Sequence, residues 1–180
     1  WTDFNQPQCP CHLQLFAEAD IELMRRTQPV ASVQPIHLCA DMDPADRFWG
    51  KRARYAYAFR TLLNLGCPLV FGTDAPVEPI NPMYGLYAAV TRSDLDGRPK
   101  EGWYPQERLT MEEALHAATA APATAAGRAP DVGTLSPGSL ADFVMLDADP
   151  VTEPPEAVPG IRPLETWVAG KRVYQSEKRG

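Results

Sequence analysis

The 180-residue sequence has no apolar run approaching the roughly 18 residues that a membrane-spanning helix needs, and no basic patch stands out. With a formal net charge of −6, we therefore expect neither a membrane nor a nucleic acid as partner. Cysteine is scarce, at four residues, which we interpret as mostly reduced thiols in a cytoplasmic protein. The first ten residues are polar and contain proline, so they do not have the pattern of a signal peptide.

The remaining composition is that of a globular domain. Hydrophobic residues make up 44% of the chain and charged residues 22%, which is enough apolar material to bury one core. Histidine occurs only three times, so few imidazoles are available for metal binding or proton transfer.

A short apolar stretch leads to a single acid. Residues 67–71 (Cys-Pro-Leu-Val-Phe) lie between two glycines, which predicts a buried strand, and Asp74 follows it. An acid just past the carboxyl end of a buried strand is where α/β folds place chemistry. Aspartate is also a common turn residue, so this local pattern equally allows Asp74 only to cap a turn.

A second predicted strand precedes the first along the chain. Residues 30–34 (Val-Ala-Ser-Val-Gln) form it, and Pro35, Ile36 and His37 come directly after. An imidazole in general titrates near neutrality, so a histidine at this position can contact substrate or handle protons. The alternative is a loop histidine that is hydrogen-bonded to backbone.

Helix signals occupy much of the remaining chain. The pair Asp43-Pro44 has the pattern of a helix start, and we predict one helix from there to about Leu65. Asn81-Pro82 predicts the start of another, which ends at Thr91. The predicted buried side of the 43–65 helix carries five apolar residues: Phe48, Ala56, Phe59, Leu62 and Leu63.

The sequence after residue 106 predicts a helix and then strands. Thr110 and Glu113 have the spacing of a capping box, in which each satisfies a donor at the helix start. Residues 133–147 predict a turn followed by a strand, and residues 166–174 predict a closing hairpin.

Three of these motifs together resemble one family. Residues 72–77 (Gly-Thr-Asp-Ala-Pro-Val), residues 31–37 (Ala-Ser-Val-Gln-Pro-Ile-His) and residues 133–146 are similar to segments of the amidohydrolase superfamily. The resemblance is greatest to its amidohydrolase-3 branch of YtcJ-like metal-dependent hydrolases.

This resemblance implies an α/β fold made of the last strands and helices of a TIM-like (β/α)8 barrel plus part of a small β-sandwich. Residues 1–11 would form an irregular arm, residues 12–132 the barrel part and residues 133–180 the sandwich part. A whole barrel needs roughly 250 residues, so we expect either a missing N-terminal part or a homo-oligomer that covers the open sheet.

The resemblance also implies roles for four side chains. Asp74 would bind the catalytic metal, which we expect to be zinc, and take the proton from the attacking water. His12 would be a second metal ligand, although Cys11 precedes it where the family has glutamate, and a histidine at this place can also be merely exposed. His37 and Arg54 would bind a small-molecule substrate, whereas a basic residue such as Arg54 can also belong to a solvated face.

Two functions remain open from the sequence. The first is metal-dependent hydrolysis of amide or related C–N bonds, with the isolated chain inactive because the family's other metal ligands are absent. The second is a non-catalytic remnant that acts through self-association.

Overall fold

The computed structural model describes residues 12–177, so the predicted arm at residues 1–11 and the last three residues of the tail lie outside it. None of the helices in the described part is both long and apolar enough to cross a bilayer. The α-helices are α1 (Ile21–Thr27), α2 (Leu38–Trp49), α3 (Phe59–Asn64), α4 (Pro82–Thr91), α5 (Met111–Ala118) and α6 (Ala120–Ala125). The strands are β1 (Ala31–Val33), β2 (Leu69–Phe71), β3 (Phe143–Leu146), β4 (Pro163–Val168) and β5 (Lys171–Gln175).

Strands β1 and β2 form a parallel pair, with Ser32 opposite Val70. Helices α2 and α3 connect them, as expected where parallel strands need a long crossover. The mixed α/β character that the sequence predicted is therefore present. On the other side of β1, Leu13 N donates to Ser32 O at 3.0 Å, which attaches the segment carrying His12 to the same sheet.

The single helix predicted for residues 43–65 is wrong. Helix α2 already begins at Leu38 and contains Pro44 in its interior, and a 3-10 helix (Gly50–Tyr55) and a break separate it from α3. The break follows from pairing with a distant segment, because Ala56 forms a β-bridge with Leu15. Such a bridge needs extended backbone, which local helix propensity does not override.

Two further details of the fold differ from the prediction. Phe48 was expected on the buried side but is 71% exposed, because α2 ends one residue later and turns a different face to the core. The other four predicted core residues of this stretch are buried or half-buried. Strand lengths are shorter than predicted by two residues each at β1 and β2.

The helix caps predicted at Asn81 and Thr110 are confirmed, whereas Asp43 lies inside α2 and caps no helix. The Asn81 side chain accepts from Met83 N at the start of α4. Thr110 and Glu113 form the reciprocal capping box of α5. Both depend on neighbouring residues only, so the local sequence suffices to specify them.

Strands β3, β4 and β5 form a separate antiparallel sheet in that order. The closing hairpin predicted from residues 166–174 corresponds to β4 and β5. Asp142 Oδ1 accepts from Ala169 N at 2.6 Å, so this acid holds the hairpin turn beside β3 and has a structural role.

Candidate active site

Three side chains predicted for the site converge beyond the carboxyl ends of the parallel strands. Asp74 lies three residues past the end of β2, and His37 ends the 3-10 helix (Pro35–His37) that follows β1. His12 precedes the residue that hydrogen-bonds to β1. Parallel strands bring the residues at their carboxyl ends to one edge, which accounts for the convergence.

The Asp74 carboxylate lies between the two imidazoles. Its Oδ2 is 3.1 Å from His12 Nε2 and 3.5 Å from His37 Nε2. The ring centroids of the two histidines are 6.0 Å apart. The exposed fractions of the side chains are 47% for His12, 29% for Asp74 and 12% for His37, so solvent reaches the site from the His12 side.

The Nδ1 atom of His37 contacts the Gln14 side chain. Gln14 Nε2 lies 3.3 Å from His37 Nδ1, within hydrogen-bond reach. His37 Nε2 is buried and has no hydrogen-bond partner among the described residues, although Asp74 Oδ2 is near. A buried polar atom without a partner costs free energy, so this nitrogen is available to a ligand or a water molecule.

The backbone of Asp74 adopts a left-handed conformation, with φ at 58°. This region is uncommon for residues other than glycine, and aspartate tolerates it better than most because its short side chain bonds locally. Asp74 O accepts from Val77 N at 2.8 Å, so a tight turn follows. The turn fixes the direction in which the carboxylate leaves the strand.

The donor set at this point suits a divalent metal in part. Imidazole nitrogen and carboxylate oxygen are both zinc ligands, and His12 and Asp74 present them 3.1 Å apart. A catalytic zinc usually has three protein ligands. Residues 12–177 contain no group of three or more histidine, cysteine, aspartate or glutamate side chains placed to hold an ion, so these two residues fit as part of a ligand set.

Arg54 lies apart from this cluster. Its Nη2 donates to Glu18 Oε2 at 2.7 Å, and its guanidinium stacks over the Tyr55 ring at 4.6 Å. The side chain is about half exposed. The structure therefore brings together His12, His37 and Asp74, but it gives Arg54 different partners.

A cavity of about 160 Å³ lies next to Asp74. Gly72 and Thr73, which lead into Asp74, form part of its wall, and Asn81 contributes a polar group. The rest of the lining is mostly apolar and comes from the residues Pro35, Ile36, Phe71, Pro82, Gly85, Leu86 and Ala118.

Sequence reasoning overlooked Gln14 and Tyr57. Gln14 contacts His37 directly, and Tyr57 N donates to Gln14 O at 2.8 Å. The closeness of Gln14 to His12 in sequence was available as a signal, because Gln14 follows this candidate ligand by two positions. No sequence pattern pointed to Tyr57, since only a tertiary contact with Gln14 brings it near the site.

Comparison with known proteins gives a consistent family match. The family model described as the amidohydrolase family matches residues 6–174. Over 165 residues, or 91% of the chain, the sequence is 38% identical to the protein LONG AFTER FAR-RED 3 of Arabidopsis thaliana and 28% identical to the putative amidohydrolase YtcJ of Bacillus subtilis (strain 168). These matches cover 28% and 31% of the two relatives, so the chain spans about a third of their length or less.

A solved structure agrees with the sequence match. The crystal structure of an uncharacterized metal-dependent hydrolase from Pyrococcus horikoshii OT3 superposes with a TM-score of 0.71 at 30% identity. The superposition covers 82% of this chain and 30% of that one, so both kinds of comparison match a similar fraction of a larger protein.

Proposed function

Because the chain belongs to the amidohydrolase family, we propose that its site serves metal-dependent hydrolysis of an amide or related C–N bond in a small molecule. The observation that carries the proposal is that His12 Nε2 and His37 Nε2 both lie within 3.5 Å of the Asp74 carboxylate oxygen Oδ2. These residue types supply metal ligands and proton carriers together.

We propose a division of the fold to go with this function. Residues 12–132 would be the last part of a (β/α)8 barrel, which the parallel pair β1–β2 with its helices supports. Residues 133–180 would be part of a β-sandwich, which the antiparallel sheet β3–β4–β5 supports. The rest of the barrel would then have to come from outside this chain.

His12 Nε2 and the Asp74 carboxylate would hold the metal, which we propose to be zinc because both donor types suit it. The chemistry that such an ion supplies when bound is polarisation of a carbonyl and acidification of water. At least one further ligand is needed for a catalytic site. We therefore expect this chain alone to bind metal without turnover.

Asp74 would carry the proton. Its carboxylate takes a proton from the attacking water as the water oxygen bonds to the carbonyl carbon, and returns it to the nitrogen when the C–N bond breaks. His37 would donate from Nε2 to the substrate carbonyl oxygen. A substrate role for Arg54 would require its guanidinium to leave Glu18.

The cavity beside Asp74 would receive the apolar part of the substrate. Its wall begins at Gly72 and Thr73, so a group bound there would have its reacting bond near the carboxylate. A volume of about 160 Å³ suits a small side group better than a whole drug-sized molecule.

Zinc binding tests the metal proposal. We expect titration calorimetry on the metal-free chain to give about one equivalent, and Asp74→Asn to weaken the affinity by at least about tenfold, as loss of a direct ligand should exceed the outer-shell effects known for metal sites. Asp43→Asn is the matched control, because Asp43 is exposed in α2 and should leave binding unchanged. Equal affinity for zinc in the Asp74 and Asp43 variants would contradict the proposal.

One observation favours the second function, self-association. Five large apolar side chains of the antiparallel sheet are at least 41% exposed, namely Val144, Met145, Leu164, Val168 and Val173. We expect sedimentation velocity to show concentration-dependent association that Val173→Lys reduces. Val77→Lys is the control, because Val77 is even more exposed than Val173, at 73% against 61%, but lies outside this sheet. A monomer at all concentrations would exclude self-association.

A further inference from the structure

A buried phenol lies behind the candidate site. Tyr57 is 1% exposed and occupies the break between the 3-10 helix and α3, with φ at 50°. Its hydroxyl donates to Asp41 Oδ2 of α2. Burial, followed by the hydrogen bond to Asp41, raises the pKa of Tyr57, so the hydroxyl stays protonated.

Tyr57 also fixes the segment that carries Gln14. Its backbone N donates to Gln14 O at 2.8 Å, so the break before α3 holds Gln14 in place. The NH2 group of the Gln14 side chain is turned toward the site.

The same NH2 group reaches His37. Gln14 Nε2 lies 3.3 Å from His37 Nδ1. An NH2 group only donates, so Nδ1 must accept, and the proton of the neutral imidazole must be on Nε2. That nitrogen is the buried atom without a hydrogen-bond partner, 3.5 Å from Asp74 Oδ2.

We propose that Gln14, held in place by the Tyr57 backbone, is a positioning residue that keeps His37 as its Nε2–H tautomer, so that His37 presents a hydrogen-bond donor beside Asp74. This inference rests on the proposed function for its catalytic meaning, but the tautomer itself is independent of catalysis. It separates the two site histidines, because a nitrogen that carries a proton has no lone pair for a metal. His12 remains able to bind metal, whereas His37 Nε2 is reserved for an acceptor such as a substrate carbonyl oxygen.

Histidine tautomers are measured directly by NMR. The chain labelled with 15N at histidine is examined at mildly alkaline pH, where imidazole is neutral. We expect His37 Nδ1 to give a pyridine-type shift and Nε2 a pyrrole-type shift. Gln14→Glu replaces the donor by an acceptor of the same shape and should invert the two shifts.

Gln106→Glu is the matched control, because it makes the same chemical change at an exposed residue and should leave the His37 shifts unchanged. A purely structural role of Gln14 would not move the proton from one ring nitrogen to the other. The proposal is overturned if wild-type His37 carries its proton on Nδ1 or shows a mixture, and this result does not depend on the folding of any variant.

Addition of zinc chloride distinguishes this inference from the proposed function. If His37 is the Nε2–H tautomer and zinc shifts the His12 nitrogens alone, both are supported. If the tautomer is as expected but zinc shifts neither histidine, the positioning inference stands and the metal proposal fails. If zinc binds and displaces the proton from His37 Nε2, the positioning inference fails and the metal proposal stands.

Discussion

Arg60 of α3 forms a two-pronged ion pair with Glu113, the same residue that completes the capping box of α5. Arg60 Nη1 donates to Glu113 Oε1 at 2.6 Å, and Thr110 N donates to Glu113 Oε2 at 2.7 Å. One carboxylate thus holds a helix start and joins it to the helix before β2.

Removal of this carboxylate should destabilise the fold. We expect Glu113→Ala to lower the free energy of unfolding by about 2–3 kcal/mol, since it removes hydrogen bonds to a charged group and a helix cap. Urea denaturation measures the loss. Glu112→Ala is the control, because Glu112 is exposed in the same turn and should change stability by less than about 0.5 kcal/mol. A similar loss in both variants would contradict the assigned role.

Acid should weaken the same contact. The hydrogen bond from Arg60 is the main cause that lowers the pKa of Glu113 below its ordinary value of 4.5. A lowered folded-state pKa gives stabilisation that is complete above the ordinary value and is lost as pH falls through the folded value. We therefore expect the stability difference between wild type and Glu113→Gln to be constant near neutral pH and to shrink below about pH 4.5. A difference that grows on acidification would refute this sign.

Replacement of the buried Arg92 by lysine should lower the stability of the fold. Its buried guanidinium donates to Trp103 O at 2.9 Å and to Tyr57 O, and it lies 5.3 Å from the centroid of the Phe59 ring. One ammonium group cannot reproduce this fork, so we expect Arg92→Lys to cost about 2–4 kcal/mol of unfolding free energy. Thermal or urea unfolding measures it. The exposed Arg52→Lys should be nearly neutral, and equal effects would show that the fork is unimportant.

Gly102 should reject any side chain. Its φ is 75°, and a Cβ there would lie 2.4 Å from Thr91 O, a backbone atom that cannot move alone. Gly127 has a similar φ of 66° but nothing within 4 Å of its Cβ position. We expect Gly127→Ala to cost about 1–2 kcal/mol for the left-handed conformation alone, and Gly102→Ala clearly more. Comparable unfolding midpoints would refute the steric argument.

The features that the sequence predicted correctly are local. The caps at Asn81 and Thr110 need only residues two or three positions away. The apolar residues of β2 and the acid that follows them also lie in one continuous stretch. The parallel pairing of β1 and β2 was implied by family resemblance, and the structure has it.

The features that it missed depend on contacts between distant segments. Ala56 leaves the helical pattern because Leu15, 41 positions earlier, pairs with it. Tyr57 and Gln14 meet for the same reason, so no periodicity predicted that the Tyr57 backbone holds Gln14 beside His37. The partners of Arg54 were equally hidden, because Glu18 is distant in sequence.

The left-handed backbone at Asp74 limits which residues can replace it. Asparagine keeps both the shape and the tolerance for positive φ, so it removes the charge with little strain, whereas alanine or a β-branched residue would add a conformational penalty. A saturation library at this codon, sorted for folded protein, should therefore retain aspartate, asparagine and glycine. Because this filter operates without any ligand, the identity of residue 74 among homologous genes reports on main-chain geometry as well as on chemistry.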